Sequence, residues 1–472
     1  MRIIGRIAEK RELERCERSG KSELVCVYGR RRVGKTYLVE QTFAQCFAFR
    51  ATGVEGGNTR RQLKSFNQRL QECGDEVHTI PRDWFEAFSR LESVLAREEV
   101  VRSPHGKRVV FFDEFPWFAT ARSDFLMAFG EFWNRCGTAA GDLLFIICGS
   151  ATSWIIGNVL ESTGSLYNRV TCQVHLAPFN LKESEAFFVD RDFGWTRRQI
   201  AECQMVFGGL PFFLDLLDGN ESLASNIERL CFAPYALLRH ESKKLLEATL
   251  KKSPIYGQIL DLLARHSHGI RKQDCYKELG VPKGTFMYAV DDLVKCGYVW
   301  EYKNRRRERN PLYLQLIDPF LLFHYRFLAS GETGNWSEFM HDEGRYANWR
   351  GNAFEVLCLN HIAQLKASLG IAGVRTESYP WTSARKAGGA QIDLVIERDD
   401  GIVNICEMKF TDRPFSISSD YEESLLNKLA VFKEETGVKG ALKLVMVTSV
   451  GIAGVAHTEH IARQLTVDDL FV

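Results

Sequence analysis

Apolar residues along this chain follow two rhythms: short unbroken runs, and longer stretches in which they return every third or fourth position. The runs at 24–28, 47–51, 109–112 and 143–148 predict strands buried on both faces, and 170–176 reads as a further strand. Helical periodicity fills 59–73 and 83–98. Strands alternating with helices predict an α/β unit with a parallel sheet over 1–178. From 179 to 250 the pattern is almost wholly helical. It breaks at Gly208-Gly209-Leu210-Pro211, where glycine ends one helix and proline opens the next. Residues 251–318 give three helices (255–265, 271–279, 282–297) and then two strands (298–302, 312–316) joined by 303–311. An apolar, aromatic helix at 318–327 leads to a connector, in which 330–345, rich in Gly, Asn and acids, reads as a boundary loop. Residues 346–472 begin with a helix at 350–369. Strands at 391–397 and 402–409, a helix at 421–432 and a strand at 441–447 follow, a second α/β domain.

The turn after the first strand carries the sharpest chemistry. Gly29-Arg30-Arg31-Arg32-Val33-Gly34-Lys35-Thr36 reads G-x-x-x-x-G-K-T between a strand and a helix. Backbone N–H groups there point at one spot and favour an anion. Lys35 would reach the β/γ-phosphates of a nucleotide such as ATP, and Thr36 would ligate Mg²⁺. Asp113 and Glu114 end the strand at 109–112, at the sheet edge where ligands sit in open α/β sheets. Asp113 is placed for the Mg²⁺ shell and Glu114 to orient and deprotonate a water. Ser150, after the strand at 143–148, either senses phosphate or caps the next helix. Arg169, just before the strand at 170–176, is either a phosphate contact, in cis or across a subunit boundary, or a surface residue.

The order at 251–318 is that of a winged helix-turn-helix. Its wing, residues 303–309, carries Lys303, Arg305, Arg306, Arg307 and Arg309 against one acid, Glu308. Such a wing can grip DNA phosphates, with Lys283, Thr285 and Tyr288 facing a groove, or serve protein contacts.

In the last domain, Asp399-Asp400-Gly401 reads as a three-residue hairpin loop. It sets the register so that paired positions sum to 800 and Asp393 opposes Glu407. Glu407 and Lys409, two apart, share a face. Two close carboxylates would bind Mg²⁺, which would polarise a phosphodiester, while Lys409 positions water. E-x-K also occurs at 241–243 and 301–303, without a neighbouring acidic strand.

These residues, with Cys148-Gly149-Ser150, Leu166-Tyr167-Asn168-Arg169 and Leu176-Ala177-Pro178-Phe179, resemble the archaeal-type ATPases, a branch of the STAND/AAA+ P-loop proteins. The resemblance implies nucleotide sensing by Ser150 and an arginine contact by Arg169. It also implies a G-x-P motif, Gly209 and Pro211, beside base and ribose. It further implies a C-terminal domain of the restriction-endonuclease-like fold with a PD-(D/E)xK signature, in which Glu355 matches the helix acid. Ile392, not proline, precedes Asp393, a departure from that signature. Such a fold either cuts DNA (or RNA) or survives as a binding or dimerisation module. A homo-oligomer and a non-cleaving nucleotide-dependent switch are the corresponding alternatives at the level of the whole chain.

Composition adds limits. With 26% charged and 45% hydrophobic residues and a net charge of +1, the chain is ordinary, so any nucleic-acid surface is local. Its 13 cysteines, none closer than ten positions and none in C-x-x-C, give no zinc signature and read as reduced cytoplasmic thiols. The close histidine sets, His266/His268 and His457/His460, read as surface or capping residues. No signal-peptide run and no apolar run long enough to cross a membrane is expected.

Overall fold

A computed structural model of the chain describes residues 3–137, 140–250, 253–307, 309–329, 335–385, 387–454 and 456–472. Glu308 and residues 330–334 of the expected boundary loop lie outside them. The chain divides into two compact units, Met1–Pro178 with Glu247–Lys251, and Phe179–Leu246 with Lys252–Val472.

The first unit is built on five strands, β1 (Glu23–Tyr28), β2 (Phe47–Thr52), β3 (Arg108–Asp113), β4 (Leu143–Gly149) and β5 (Cys172–His175). All pair in parallel, in the order β2-β3-β4-β1-β5. Because β4 separates β1 from β3, the turn after β4 lies between the turns after β1 and β3. Helices α1 (Ile7–Arg18), α2 (Lys35–Thr42), α3 (Thr59–Glu72), α4 (Trp84–Leu95) and α5 (Phe125–Phe132) surround the sheet. The runs in β1, β3 and β4 are buried, as unbroken runs in a parallel sheet should be, whereas β2 lies at the sheet edge and exposes Arg50 and Thr52. Val110, Phe112, Phe145 and Ile147 join one core with Phe66, Trp84, Phe88 and Phe125 from the helices. Phe112 and Phe145, on adjacent strands, hold their ring centroids 4.8 Å apart, within the range of favourable aromatic contact.

The second unit opens with helices α6 (Leu181–Asp190) and α7 (Arg197–Phe207), each started by a capping box, Asn180 with Glu183 and Thr196 with Gln199. Gly208 ends α7 at φ 63° and Pro211 starts the following turn of helix. Helix α8 (Pro254–Ala264), β6 (Ile270–Arg271), α9 (Lys272–Leu279), α10 (Lys283–Lys295), β7 (Val299–Lys303) and β8 (Leu312–Leu316) come next. The three strands form an antiparallel sheet, order β6-β8-β7.

The boundary expected at 330–345 contains a helix, Trp336–His341, capped by Asn335 and Glu338, and the start of α11 (Glu343–Asn360), capped by Asp342. The helix expected at 350–369 therefore begins earlier. It also breaks at His361 before a short helix Ile362–Ser368. A five-stranded sheet follows: β9 (Thr376–Thr382), β10 (Gln391–Arg398), β11 (Ile402–Lys409), β12 (Ala441–Thr448) and β13 (Ile461–Thr466), with α12 (Ser419–Thr436) between β11 and β12. Its order is β13-β12-β11-β10-β9, antiparallel from β9 to β11 and parallel from β11 to β13. Gly401 closes the β10–β11 hairpin at φ 82°, and the pairs Leu394–Cys406 to Glu397–Val403 keep the expected register. Among the described residues no helix is long and apolar enough to cross a membrane.

Candidate functional site

Three groups of side chains carry chemistry. In the first unit, the turn from β1 to α2 is the expected anion cradle. Gly29 sits at φ 148°, and a Cβ there would lie 2.2 Å from Leu176 O, so only glycine fits. Arg32 (φ 72°) and Gly34 (φ 89°) are both left-handed, which curls the loop. Val33 and Arg30 are buried and Arg31 is exposed. Lys35 is buried, and its Nζ donates to Gly29 O (2.9 Å) and Arg30 O (2.8 Å). Burial pulls its pKa below the ordinary lysine value, and the nearby Glu114 and Asp113 carboxylates oppose that shift. Arg6 was not singled out as a site residue. It is buried, and its guanidinium donates to Val33 O (3.3 Å) and Ala177 O (2.7 Å), tying the loop to the segment after β5.

Thr36 Oγ1 donates to Asp113 Oδ2 over 2.9 Å. This hydroxyl and carboxylate are the hard oxygen pair that suits Mg²⁺. Asp113 Oδ1 also accepts the Glu114 N–H (2.9 Å). Glu114 takes left-handed backbone, φ 47°, which turns its side chain toward the end of β4. There the Ser150 hydroxyl donates to both Glu114 oxygens, at 3.2 and 3.0 Å. The helix after Ser150 shows no side-chain cap, so this contact, not capping, engages the hydroxyl. Arg169 is partly exposed in the turn before β5, its N–H donating to Leu166 O (3.1 Å). Gly209 and Pro211 belong to the second unit, where a Cβ on Gly209 would lie 1.9 Å from Phe179 O.

The second group lies on the C-terminal sheet. Asp393 Oδ2 accepts the Met408 N–H over 2.7 Å, bringing the acid beside Glu407 and Lys409. Glu407 is buried and saturated with donors. Oε1 takes Lys409 Nζ (3.0 Å) and Tyr421 OH (2.9 Å), and Oε2 takes Lys428 Nζ (2.6 Å). Tyr421 and Lys428 come from α12, and nothing in their spacing marked them. Burial pushes Asp393 well above the usual carboxylate range, and the charges of Glu407 and Glu355 push it further. Burial alone would also raise Glu407, but the Lys428 and Lys409 ammonium groups hold it below its ordinary value. Glu355, on α11, is near enough to act on Asp393, but its Oε2 lies 3.5 Å from His268 Nδ1. Among the described residues no group of three or more His, Cys, Asp or Glu side chains is placed to hold a metal ion. The expected three-acid set is thus two acids flanked by two lysines, with Glu355 beside a histidine.

The third group is the β7–β8 connection, the expected wing. Arg305 pairs with Glu397 of β10, and Arg306 pairs with Glu435 of α12 and donates to Thr382 O. Buried Asn304 donates to Thr382 O as well (3.0 Å). The wing is therefore pinned to the C-terminal sheet, and two of its expected phosphate contacts already hold acids. Lys303, Arg307, Arg309, Lys283 and Thr285 are exposed. Arg271 and Arg385, not anticipated, line the same cleft as Lys283, Arg307 and Arg309.

No family model matches the chain. It is 22% identical over 332 residues, 69% of each chain, to the uncharacterized protein MJECL04 of Methanocaldococcus jannaschii. Among solved structures, the Aeropyrum pernix ORC2 protein gives a TM-score of 0.46 at 14% identity, over 68% of this chain and 93% of that one. The Walker-type ATPase PABY2304 of Pyrococcus abyssi gives 0.50 at 18% identity, over 69% of this chain and 96% of that one. In fold, this chain is similar to that Walker-type ATPase.

Proposed function

We propose that the chain binds ATP with Mg²⁺ at the loop of residues 29–36 and hydrolyses it. The Thr36–Asp113 contact carries this reading, because it holds the two oxygen ligands together at 2.9 Å. When bound, Mg²⁺ would neutralise charge on the phosphates. The protein does the rest. Loop N–H groups and Lys35 hold the β- and γ-phosphates, exchanging the Gly29 and Arg30 carbonyls for phosphate oxygens. Glu114 accepts a proton from the attacking water, and Ser150 fixes the carboxylate that does so. Arg169 is the candidate for a contact from a second copy, and Gly209 and Pro211 for the base and ribose. Phosphate release in the presence of MgATP, lost in Lys35→Ala with the fold intact, tests the assignment. Undiminished turnover in that variant removes it.

Residues 251–318 are read as a winged helix, and 346–472 as a domain of the restriction-endonuclease-like type, with DNA as the partner. Convergence of Asp393, Glu407 and Lys409 supports metal-dependent phosphodiester cleavage. A rival reading, a nucleotide-dependent switch that binds without cutting, is favoured by Lys428 on Glu407, which sets an ammonium group where a cation would bind. Plasmid nicking with Mg²⁺ or Mn²⁺ separates the two: nicking that is lost in Lys409→Ala supports cleavage, and its absence in the wild type supports the switch.

A further inference from the structure

A cleft of about 1470 Å³ runs between α9, α10, the wing, the β9–β10 connection and the end of α12, all within the second unit. Seven basic side chains and two acidic ones line it. Both acids are already engaged. Glu434 pairs with Arg385, and Glu435 with Arg306, while the Ala384 N–H donates to Glu435 Oε2 (2.9 Å). Lys283, Arg307 and Arg309 are exposed and, among the described residues, form no ion pair. Arg271 has only a loose approach to Asp274, at 3.9 Å. Excess positive charge from several elements therefore lines one void, next to a wing that is already docked.

The size and charge pattern select the occupant. A single phosphate would fill a small part of the volume. A duplex backbone, with one charge per roughly 1.7 Å of helix axis, suits cations contributed by several elements along one cleft. We propose that this cleft takes the phosphodiester backbone of a DNA duplex, with Arg271, Lys283, Arg307 and Arg309 as phosphate contacts and Arg385 as part of the fixed wall. The inference rests on the reading of nucleic acid as the partner, and it moves the contact surface from the wing tip to the shared cleft. Arg305 and Arg306 act here as positioning residues that fix the wall.

The test is fluorescence anisotropy of the full chain with a short labelled DNA duplex of mixed sequence, titrated with salt. RNA duplex and poly-glutamate serve as parallel probes. Arg271→Ala, Lys283→Ala and Arg309→Ala alter exposed side chains, and Arg375→Ala, exposed elsewhere on the same unit, is the control. Each cleft variant should weaken binding several-fold and lower the salt slope by about one, with the control unchanged. Wild-type binding that the cleft variants leave intact overturns the cleft and spares the nucleic-acid reading. Tighter binding of RNA overturns the assignment to DNA. Binding of poly-glutamate with none of either duplex overturns both the cleft and the nucleic-acid reading.

Discussion

The hydroxyl of Ser150 donates to Glu114 Oε2 over 3.0 Å, and the Ser150 N–H lies 3.4 Å from the same oxygen. Two donors of one residue, Ser150 just after β4, thus fix the carboxylate of the residue that follows the adjacent strand β3. Glu114→Gln keeps the shape and removes the proton acceptor, so ATP turnover should fall about 100-fold or more with nucleotide affinity nearly unchanged. Ser150→Ala leaves the acid but frees it, and turnover should fall about 10-fold. Steady-state phosphate release beside equilibrium nucleotide binding checks both. A loss of binding that matches the loss of turnover would assign these residues to binding instead.

Gly29→Ala should destabilise the first unit and abolish nucleotide binding. The added Cβ meets Leu176 O at 2.2 Å, and a backbone carbonyl in a sheet-edge turn cannot move aside cheaply. A cost of about 2–4 kcal/mol follows from combined overpacking and backbone strain. Chemical denaturation measures it, and a change under about 0.5 kcal/mol, the ordinary surface range, would contradict the crowding.

Arg306→Ala should destabilise the second unit by about 2 kcal/mol, since Glu435 loses its nearest cation and keeps Arg385 at 3.6 Å. Glu435→Ala should cost more, because the Ala384 N–H and the Ser383 hydroxyl also depend on that carboxylate. A double-mutant cycle by denaturation reads the coupling. An interaction energy near zero would mean that the wing is not pinned.

His361 gives the pH dependence a sign. It is buried, accepts the Leu181 N–H at Nε2 (3.0 Å), and burial lowers its pKa from 6.5 to about 4. Over that window the unfolded chain binds the extra proton, so stability rises with pH from about 4 to 6.5, by about 3 kcal/mol for this group. His324, also lowered to about 4, adds a similar share. Asp393, raised by burial, contributes a slope of the opposite sign over the same window, so the check is the difference between wild type and His361→Gln: denaturation across that range should show the variant gaining less stability with rising pH. An unchanged slope in the variant would exclude His361 as its source.

Local chemistry was legible in the sequence wherever neighbours in the chain set it. The strand–turn–helix setting of residues 29–36 was legible, and the three-residue hairpin carried enough geometry to set the β10–β11 register. Tertiary partners were not legible. Lys428 reaches Glu407 across 21 positions, and Glu435 reaches Arg306 across 129, distances at which no periodicity reports a contact. The basic wing looked like a free patch because its acids lie on other elements. Residues 335–345 looked like a loop because Asn335 and Asp342 are helix caps, and capping residues are the ones that also favour turns.

Phosphate release from MgATP by the full chain, compared with its Lys35→Ala variant, tests the central claim most directly. Lys35 loses its side-chain hold on the loop and on the triphosphate, so turnover should drop to background while the circular dichroism spectrum stays that of the wild type. Equal turnover by the two folded proteins would contradict the account.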